Sequence, residues 1–220
     1  MGIDQLTGAT PTAALGFRLY LVTDRHQTRG RPLSDVIEEC LGAGVRAIQL
    51  REKDLTAADL LELAQPLRDL TRRVAARLFV NDRVDVALAV DADGVQRGHT
   101  SLPVRLIKAV AGPRLLVGAS VHSLAEARSA ELEGADFMAF GPVYDTPSKR
   151  AYGPPQGVNA LARVVEAVGV PVFAIGGVTP DRVGEVRKAG AHGVAVISAI
   201  LAAERPPEAT KAFLEALGSA

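Results

Sequence analysis

The sequence predicts a single-domain (β/α)8 barrel, and three observations carry that prediction. From Phe17 onward, short runs rich in Val, Ile and Leu alternate with longer segments of helical periodicity to the end of the chain, the pattern of a parallel sheet with crossover helices. Eight such units follow one another, which favours a closed barrel over an open sheet. The turn after the first run, Thr23-Asp24-Arg25-His26, contains no glycine, whereas a doubly wound dinucleotide-binding sheet needs a Gly-rich turn there.

The predicted strands are Arg18–Val22, Val45–Leu50, Leu78–Asn81, Gly94–Gln96, Leu115–Gly118, Phe137–Phe140, Val172–Ile175 and Val194–Ile197. Helical spacing predicts Leu33–Ala43, Ala57–Ala75, Val84–Val90, Pro103–Ala111, Leu124–Glu133, Val158–Val168, Pro180–Ala189 and a closing helix near Pro207–Leu217. Thr179-Pro180 reads as an N-cap followed by proline in the first turn. Ala43-Gly44, Gly134-Ala135 and Ala189-Gly190 each precede a strand, as helix C-caps feeding the lower end of a barrel would.

Composition limits the function classes. At 220 residues the chain fits one barrel, assigned to residues 17–220, with residues 1–16 as a loose tail that lacks the charged and apolar regions of a signal peptide. Lys plus Arg and Asp plus Glu both number 25, so no broad basic surface points to nucleic acid or to an anionic membrane. No apolar run reaches the ~18 residues of a membrane span. The single cysteine, Cys40, excludes an internal disulfide, makes a cytoplasmic home the default and reads as a small core residue.

In such a barrel, chemistry gathers after the C-terminal ends of the strands. The seventh strand runs into Gly176-Gly177 and the eighth into Ile197-Ser198. Two glycines let backbone approach a ligand, and a short helix opening at Ser198 adds free N–H groups, so the two loops together predict a phosphate cup. A plain αβ turn is the other reading of Gly-Gly. Strand two ends in Gln49-Leu50-Arg51-Glu52-Lys53, where Arg51 and Lys53 could hold an anion or simply pair with neighbouring carboxylates. Asn81-Asp82 after strand three offers either a metal ligand or a helix N-cap.

His122 follows strand five between Ser120 and Ser123. It is placed to move a proton near neutral pH, or else to be satisfied by one of those hydroxyls. His26, His99 and His192 lack zinc-ligand spacing. Gly141–Gly157 is a long connection carrying four prolines with Thr146, Ser148 and Lys149, a predicted anion-binding flap.

The blocks LYLVTD (19–24), QLREKD (49–54), VNDRVDVAL (80–88), GASVHSLAEA (118–127), FGPVYDTPSK (140–149), AIGGVTPD (174–181) and GVAVISAI (193–200) together resemble the thiamine-phosphate synthase/TenI family over roughly residues 17–217. That resemblance implies one of two activities. The synthase joins a pyrimidine methyl diphosphate to a thiazole phosphate with magnesium; the tautomerase aromatises a thiazole phosphate carboxylate by moving a proton. For the synthase it implies that Gln49, Arg51, Lys53 and Asn81 hold the diphosphate, that Thr146, Ser148 and Lys149 cover it, and that Asp82 ligates magnesium. A second aspartate is expected after strand four, where this chain reads Gly98-His99-Thr100-Ser101.

The missing carboxylate and the Ser120-Val121-His122-Ser123 segment make the tautomerase branch the expected one. His122 would then be the proton-transfer residue, with Ser120 at the ring. Gly176, Gly177, Ile197 and Ser198 would hold the phosphate, Arg51 or Lys53 the carboxylate, and no cofactor would be required. The magnesium-dependent synthase and a non-catalytic phosphate-binding regulator are the alternatives. Small barrels of this kind suggest a homodimer.

Overall fold

The computed structural model describes residues 15–146 and 154–218. Eight strands, β1 (Leu19–Val22), β2 (Ala47–Leu50), β3 (Arg77–Asn81), β4 (Gly94–Arg97), β5 (Leu116–Val121), β6 (Phe137–Phe140), β7 (Val172–Ile175) and β8 (Gly193–Val196), pair in chain order and close into a barrel. Every pair is parallel, and β8 returns to β1 with Tyr20 opposite Ala195. The helices around it are α1 (Leu33–Gly42), α2 (Ala57–Arg73), α3 (Val84–Ala89), α4 (Val104–Ala111), α5 (Leu124–Leu132), α6 (Val158–Ala167), α7 (Val183–Lys188), α8 (Ser198–Leu201) and α9 (Pro206–Gly218). The fold class predicted from sequence is the one observed.

Period-two alternation sorts the strand residues between two cores. Outward positions such as Leu21, Ile48, Leu78, Val80, Val117 and Val194 pack beneath the helices. On α2 the buried residues Leu60, Ala64 and Leu67 recur at helical spacing, so one stripe of that helix meets the barrel. Inward positions build a second core from Tyr20, Phe79, Phe137 and Phe173, all fully buried. Neighbouring rings meet edge to face, Tyr20 on Phe79 at 5.3 Å and Phe79 on Phe137 at 5.3 Å, the arrangement favoured by the ring quadrupole.

Four rings fit because glycine faces them. A Cβ on Gly94 would lie 2.6 Å from the Phe79 ring, and one on Gly118 would lie 2.4 Å from that of Phe137. Phe17 closes the lower end, stacked on Phe173 at 5.2 Å, with Leu15 buried beside it. Leu15, assigned from sequence to a loose tail, is thus part of the barrel; residues 1–14 lie outside the described residues.

The C-cap reading of the connectors holds. Gly44, Gly134 and Gly190 take positive φ of 117°, 93° and 88°. At the first, the Gly44 and Val45 N–H groups donate back to the Leu41 and Cys40 carbonyls, which ends α1 and turns the chain into β2. Two boundaries move. Strand β5 runs on to Val121, bringing Ser120 inside the strand, and the predicted helix from Pro180 divides into a 3-10 turn (Pro180–Arg182) and α7. Among the described residues, no helix is long and apolar enough to cross a membrane.

Candidate active site

Strand register brings the predicted residues to one mouth. Val22 stands opposite Gln49, Asn81 opposite Gln96, Val121 opposite Phe140 and Ile175 opposite Ala195. The residues that follow, from Thr23 and Arg51 round to Gly176 and Ile197, therefore ring the C-terminal end of the barrel.

The loops after β1 and β2 are locked together by Glu52, whose side chain is 1% exposed. Its carboxylate accepts from Thr23 Oγ1 at 2.6 Å, from the Arg25 backbone N–H at 3.1 and 3.2 Å, and from Arg25 Nη1 at 3.2 Å. Thr23 Oγ1 in turn accepts from the Arg51 N–H at 2.9 Å. Arg25 also forks onto Asp54 at 2.6 and 2.7 Å. Arg25, and then His26, hold the Asp54 carboxyl well below the usual range. Half of the charged run after β2 is thus a clasp, leaving half-buried Arg51 and exposed Lys53 at the rim.

Below that rim lies a polar layer across the barrel. Gln49 and Gln96 are both buried. Gln96 Nε2 donates to Ser120 Oγ at 3.1 Å, and the Tyr20 hydroxyl lies 3.5 Å from Gln96 Oε1. Burial raises the Tyr20 phenol pKa and Gln49 opposes the shift, so Tyr20 stays protonated as a donor. Gln96 and Tyr20 were missed at the sequence level, although alternation from Gly94 places Gln96 inward.

Asp82 does not cap a helix. The N-cap of α3 is Arg83, without a side-chain bond, and Asp82, at φ 61°, turns its carboxylate toward the loop after β4. Oδ1 accepts from the Gly98 N–H at 2.8 Å and from the Ser101 hydroxyl, while Oδ2 accepts from Asn81 Nδ2 at 2.8 Å. Ser101, standing where a second aspartate was expected, binds the first directly. Among the described residues no three His, Cys, Asp or Glu side chains gather as a metal cage.

His122 is the first residue past β5. Its Nδ1 lies 2.5 Å from the Gly141 carbonyl oxygen, so Nδ1 carries the proton and Nε2 is left as the acceptor. Neither neighbouring serine satisfies the ring: Ser123 caps α5 by accepting from the Glu126 N–H. Glu126 in turn accepts from the His122 N–H at 2.8 Å, a capping arrangement that fixes the backbone under the imidazole.

The Gly176-Gly177 corner has φ of 95° and 65°. The chain folds tightly over it, since Cβ atoms there would lie 2.6 Å from Pro142 Cα and 2.6 Å from the Asp145 carbonyl oxygen. Arg182, also missed in the sequence, donates to the Gly177 carbonyl at 2.7 Å and covers the Tyr144 ring at 4.5 Å. The Tyr144 hydroxyl donates to Glu185; burial first, then that bond, raises its pKa. Beside this corner Ile197, at φ −121° and ψ −90°, leaves the strand and opens α8 at Ser198. The first N–H groups of α8 have no partner within the helix, so two adjacent loops present backbone donors. Within the predicted flap, residues 141–146 and 154–157 are described; Ser148 and Lys149 lie outside the described residues.

Residues 19–200 match the family model described as thiamine monophosphate synthase. The chain belongs to this family. It is 41% identical over 210 residues to the thiamine-phosphate synthase of Roseiflexus sp. strain RS-1, covering 96% of this chain and 89% of that one. The thiamine-phosphate synthase of Chloroflexus aurantiacus is 45% identical over 188 residues, 86% of this chain and 87% of that protein. The solved thiamine phosphate pyrophosphorylase of Pyrococcus furiosus superposes with a TM-score of 0.85 at 42% identity, covering 92% of this chain and 96% of that one.

These relatives overturn the expected branch. The resemblance pointed to the tautomerase, an isomerase, because of the Ser120–Ser123 segment and Ser101; relatives at 41–45% identity carry the synthase name instead. The physical weakness lay in both signals. The bond of His122 to the Gly141 carbonyl uses Nδ1 alone and favours neither branch, and a serine hydroxyl is an oxygen ligand as well as a lost carboxylate.

Proposed function

We propose that the protein is a thiamine-phosphate synthase, a transferase that joins a pyrimidine methyl diphosphate to a thiazole phosphate. What supports this reading is that two separate sets of residues suited to anions stand at one mouth. Backbone donors at Gly176, Gly177, Ile197 and Ser198 suit the monophosphate of the thiazole. Across the barrel, Gln49, Arg51, Lys53 and Asn81 suit the diphosphate, and Thr146, Ser148 and Lys149 belong to the flap that would cover it. A tautomerase would need only Arg51 or Lys53 there for the ring carboxylate, whereas a diphosphate can use Gln49, Arg51, Lys53 and Asn81 together.

The reaction breaks the C–O bond between the pyrimidine methylene and the diphosphate, whose oxygen keeps the electron pair. The methylene cation is captured by the lone pair of the thiazole nitrogen, forming a C–N bond with no proton to remove. The protein must therefore stabilise negative charge on the leaving group and hold the two rings in line. Arg51 and Lys53 supply positive charge at the rim, while Tyr20, Gln96 and Ser120 offer hydrogen bonds from the floor to a heterocycle.

Asp82 and Ser101 fit a magnesium ion. Asp82 Oδ2 accepts one hydrogen bond and keeps a free lone pair, Ser101 contributes a hydroxyl oxygen beside it, and magnesium is commonly held by one or two carboxylates together with phosphate oxygens and water. When bound, the ion would neutralise charge on the departing diphosphate.

The test is synthesis of thiamine phosphate from both substrates, with magnesium and then with a chelator. Magnesium-dependent product is expected. Binding of both substrates without product would instead leave a phosphate-binding regulator.

A further inference from the structure

At the opposite end of the barrel, the residue just before a strand twice closes the rim with a carboxylate. Asp93, ahead of β4, accepts from Arg68 Nη1 at 2.6 Å and from the Leu78 N–H at 2.8 Å, while its own N–H donates to the Leu78 carbonyl. Asp136, ahead of β6, repeats this, accepting from Lys108 and from the Val117 N–H as its own N–H donates to the Val117 carbonyl. The two sites share the local sequence Ala-Asp before the strand.

Ahead of β8 the corresponding pair is Ala191-His192. The backbone bond is the same, His192 N–H to the Val172 carbonyl at 2.8 Å, but the side chain supplies no carboxylate. Its Nε2 lies 3.0 Å from the Phe17 carbonyl oxygen, so it acts there as a donor. Arg187 and Arg18 stand at this point, and among the described residues neither is paired with Asp or Glu. Arg187 Nη1 is spent on the Ala191 and His192 carbonyls, and its Nε is buried without a partner. Burial, then the charge of Arg18, lowers the Arg187 pKa. Arg187 is half-buried, and a guanidinium withdrawn from water is ordinarily matched by an anion.

The place left by the carboxylate opens into a cleft of about 630 Å³, whose remaining wall includes Val165, Val168, Val170 and Pro171. That volume, with several convergent polar groups beside a patch of valine and proline side chains, has features of a small-molecule site. We propose that this cleft binds a small carboxylate with an apolar body, the carboxylate lying between Arg18 and Arg187 and supplying at this strand the negative charge that Asp93 and Asp136 supply at theirs, and the body lying on the valine patch. A guanidinium fork matches a carboxylate in two hydrogen bonds, which gives the site its preference. It lies at the far end of the barrel from the synthase mouth and stands independently of the activity assigned there.

Sodium benzoate is the probe, with the valine methyl resonances of the full chain as the readout at constant ionic strength. The expected result is a saturable shift of the Val165 and Val168 methyls, absent with neutral benzamide. Arg18→Glu, at an exposed side chain, should weaken the affinity at least tenfold. His192→Asp, which supplies the carboxylate from the chain itself, should abolish probe binding while raising the melting temperature. No saturable shift, an equal response to benzamide, or unchanged affinity in Arg18→Glu would each overturn the proposal. So would a cleft already filled by the chain's own residues, which shows as the first of these.

Discussion

Truncating Glu52 to alanine should do more damage than any other single change in the loop after β2. The carboxylate is 1% exposed and accepts from the Thr23 hydroxyl, the Arg25 N–H and the Arg25 guanidinium. Removing it strands two donors with little water within reach, and breaking a buried charge pair by deleting one partner costs about 3–5 kcal/mol. Arg25 is 29% exposed on its side chain, so solvent recovers part of its loss and the lower end of that range is expected. For a chain of this size each kcal/mol moves the melting temperature by about 2–4 °C, giving a fall of roughly 6–12 °C by calorimetry. The same change frees the Arg51 backbone from Thr23, so KM for the diphosphate substrate should rise more than KM for the thiazole phosphate. Asp54→Ala, which removes the exposed arm of the network, should leave stability nearly unchanged. A Glu52→Ala loss no larger than the ~1 kcal/mol typical of surface ion pairs would refute the clasp.

Ser101→Asp places a carboxylate against Asp82 where a hydroxyl now donates. Without magnesium the variant should melt lower than the parent, and magnesium should restore it and support turnover at lower metal concentration; identical melting with and without the ion would contradict the Asp82 and Ser101 assignment. Gly177→Ala puts a Cβ 2.6 Å from the Asp145 carbonyl at φ 65°, which should cost about 1–3 kcal/mol by denaturant titration and raise KM for the thiazole phosphate at least tenfold. Burial lowers the His192 pKa. The unfolded chain therefore takes up that proton first, and stability should fall as pH drops below about 6.5 toward the folded value. His192→Gln should flatten this part of the melting profile between pH 7.5 and 5.5, and an unaltered profile would exclude the contribution.

The barrel was legible because its signals are local and repeated: apolar runs of strand length, helical spacing between them, and Ala-Gly connectors whose positive φ the structure shows. The mouth was legible for a related reason, since chain order alone places Arg51, Asn81, Ser120 and Gly176 just inside or beyond strand ends. What stayed hidden depends on pairs far apart in sequence. Nothing near Glu52 announces that Thr23 and Arg25 will surround it, and nothing near Arg182 announces the Tyr144 ring. The branch assignment failed because two positions were weighed as presence or absence of a functional group. The contacts of His122 with Gly141 and of Ser101 with Asp82 are properties of neighbouring loops, invisible to a reading along one segment.

The ring-and-glycine packing inside the barrel has a consequence for how this molecule can change over time. Phe79 and Phe137 occupy room that exists only because Gly94 and Gly118 bear no side chain. A Cβ at Gly94 would also meet the Leu116 backbone carbonyl at 2.5 Å, and one at Gly118 the Gln96 side chain at 2.3 Å, so a smaller ring alone releases neither glycine. The floor of the barrel mouth thereby resists change at these two glycines, and variation is steered toward the loops at the rim.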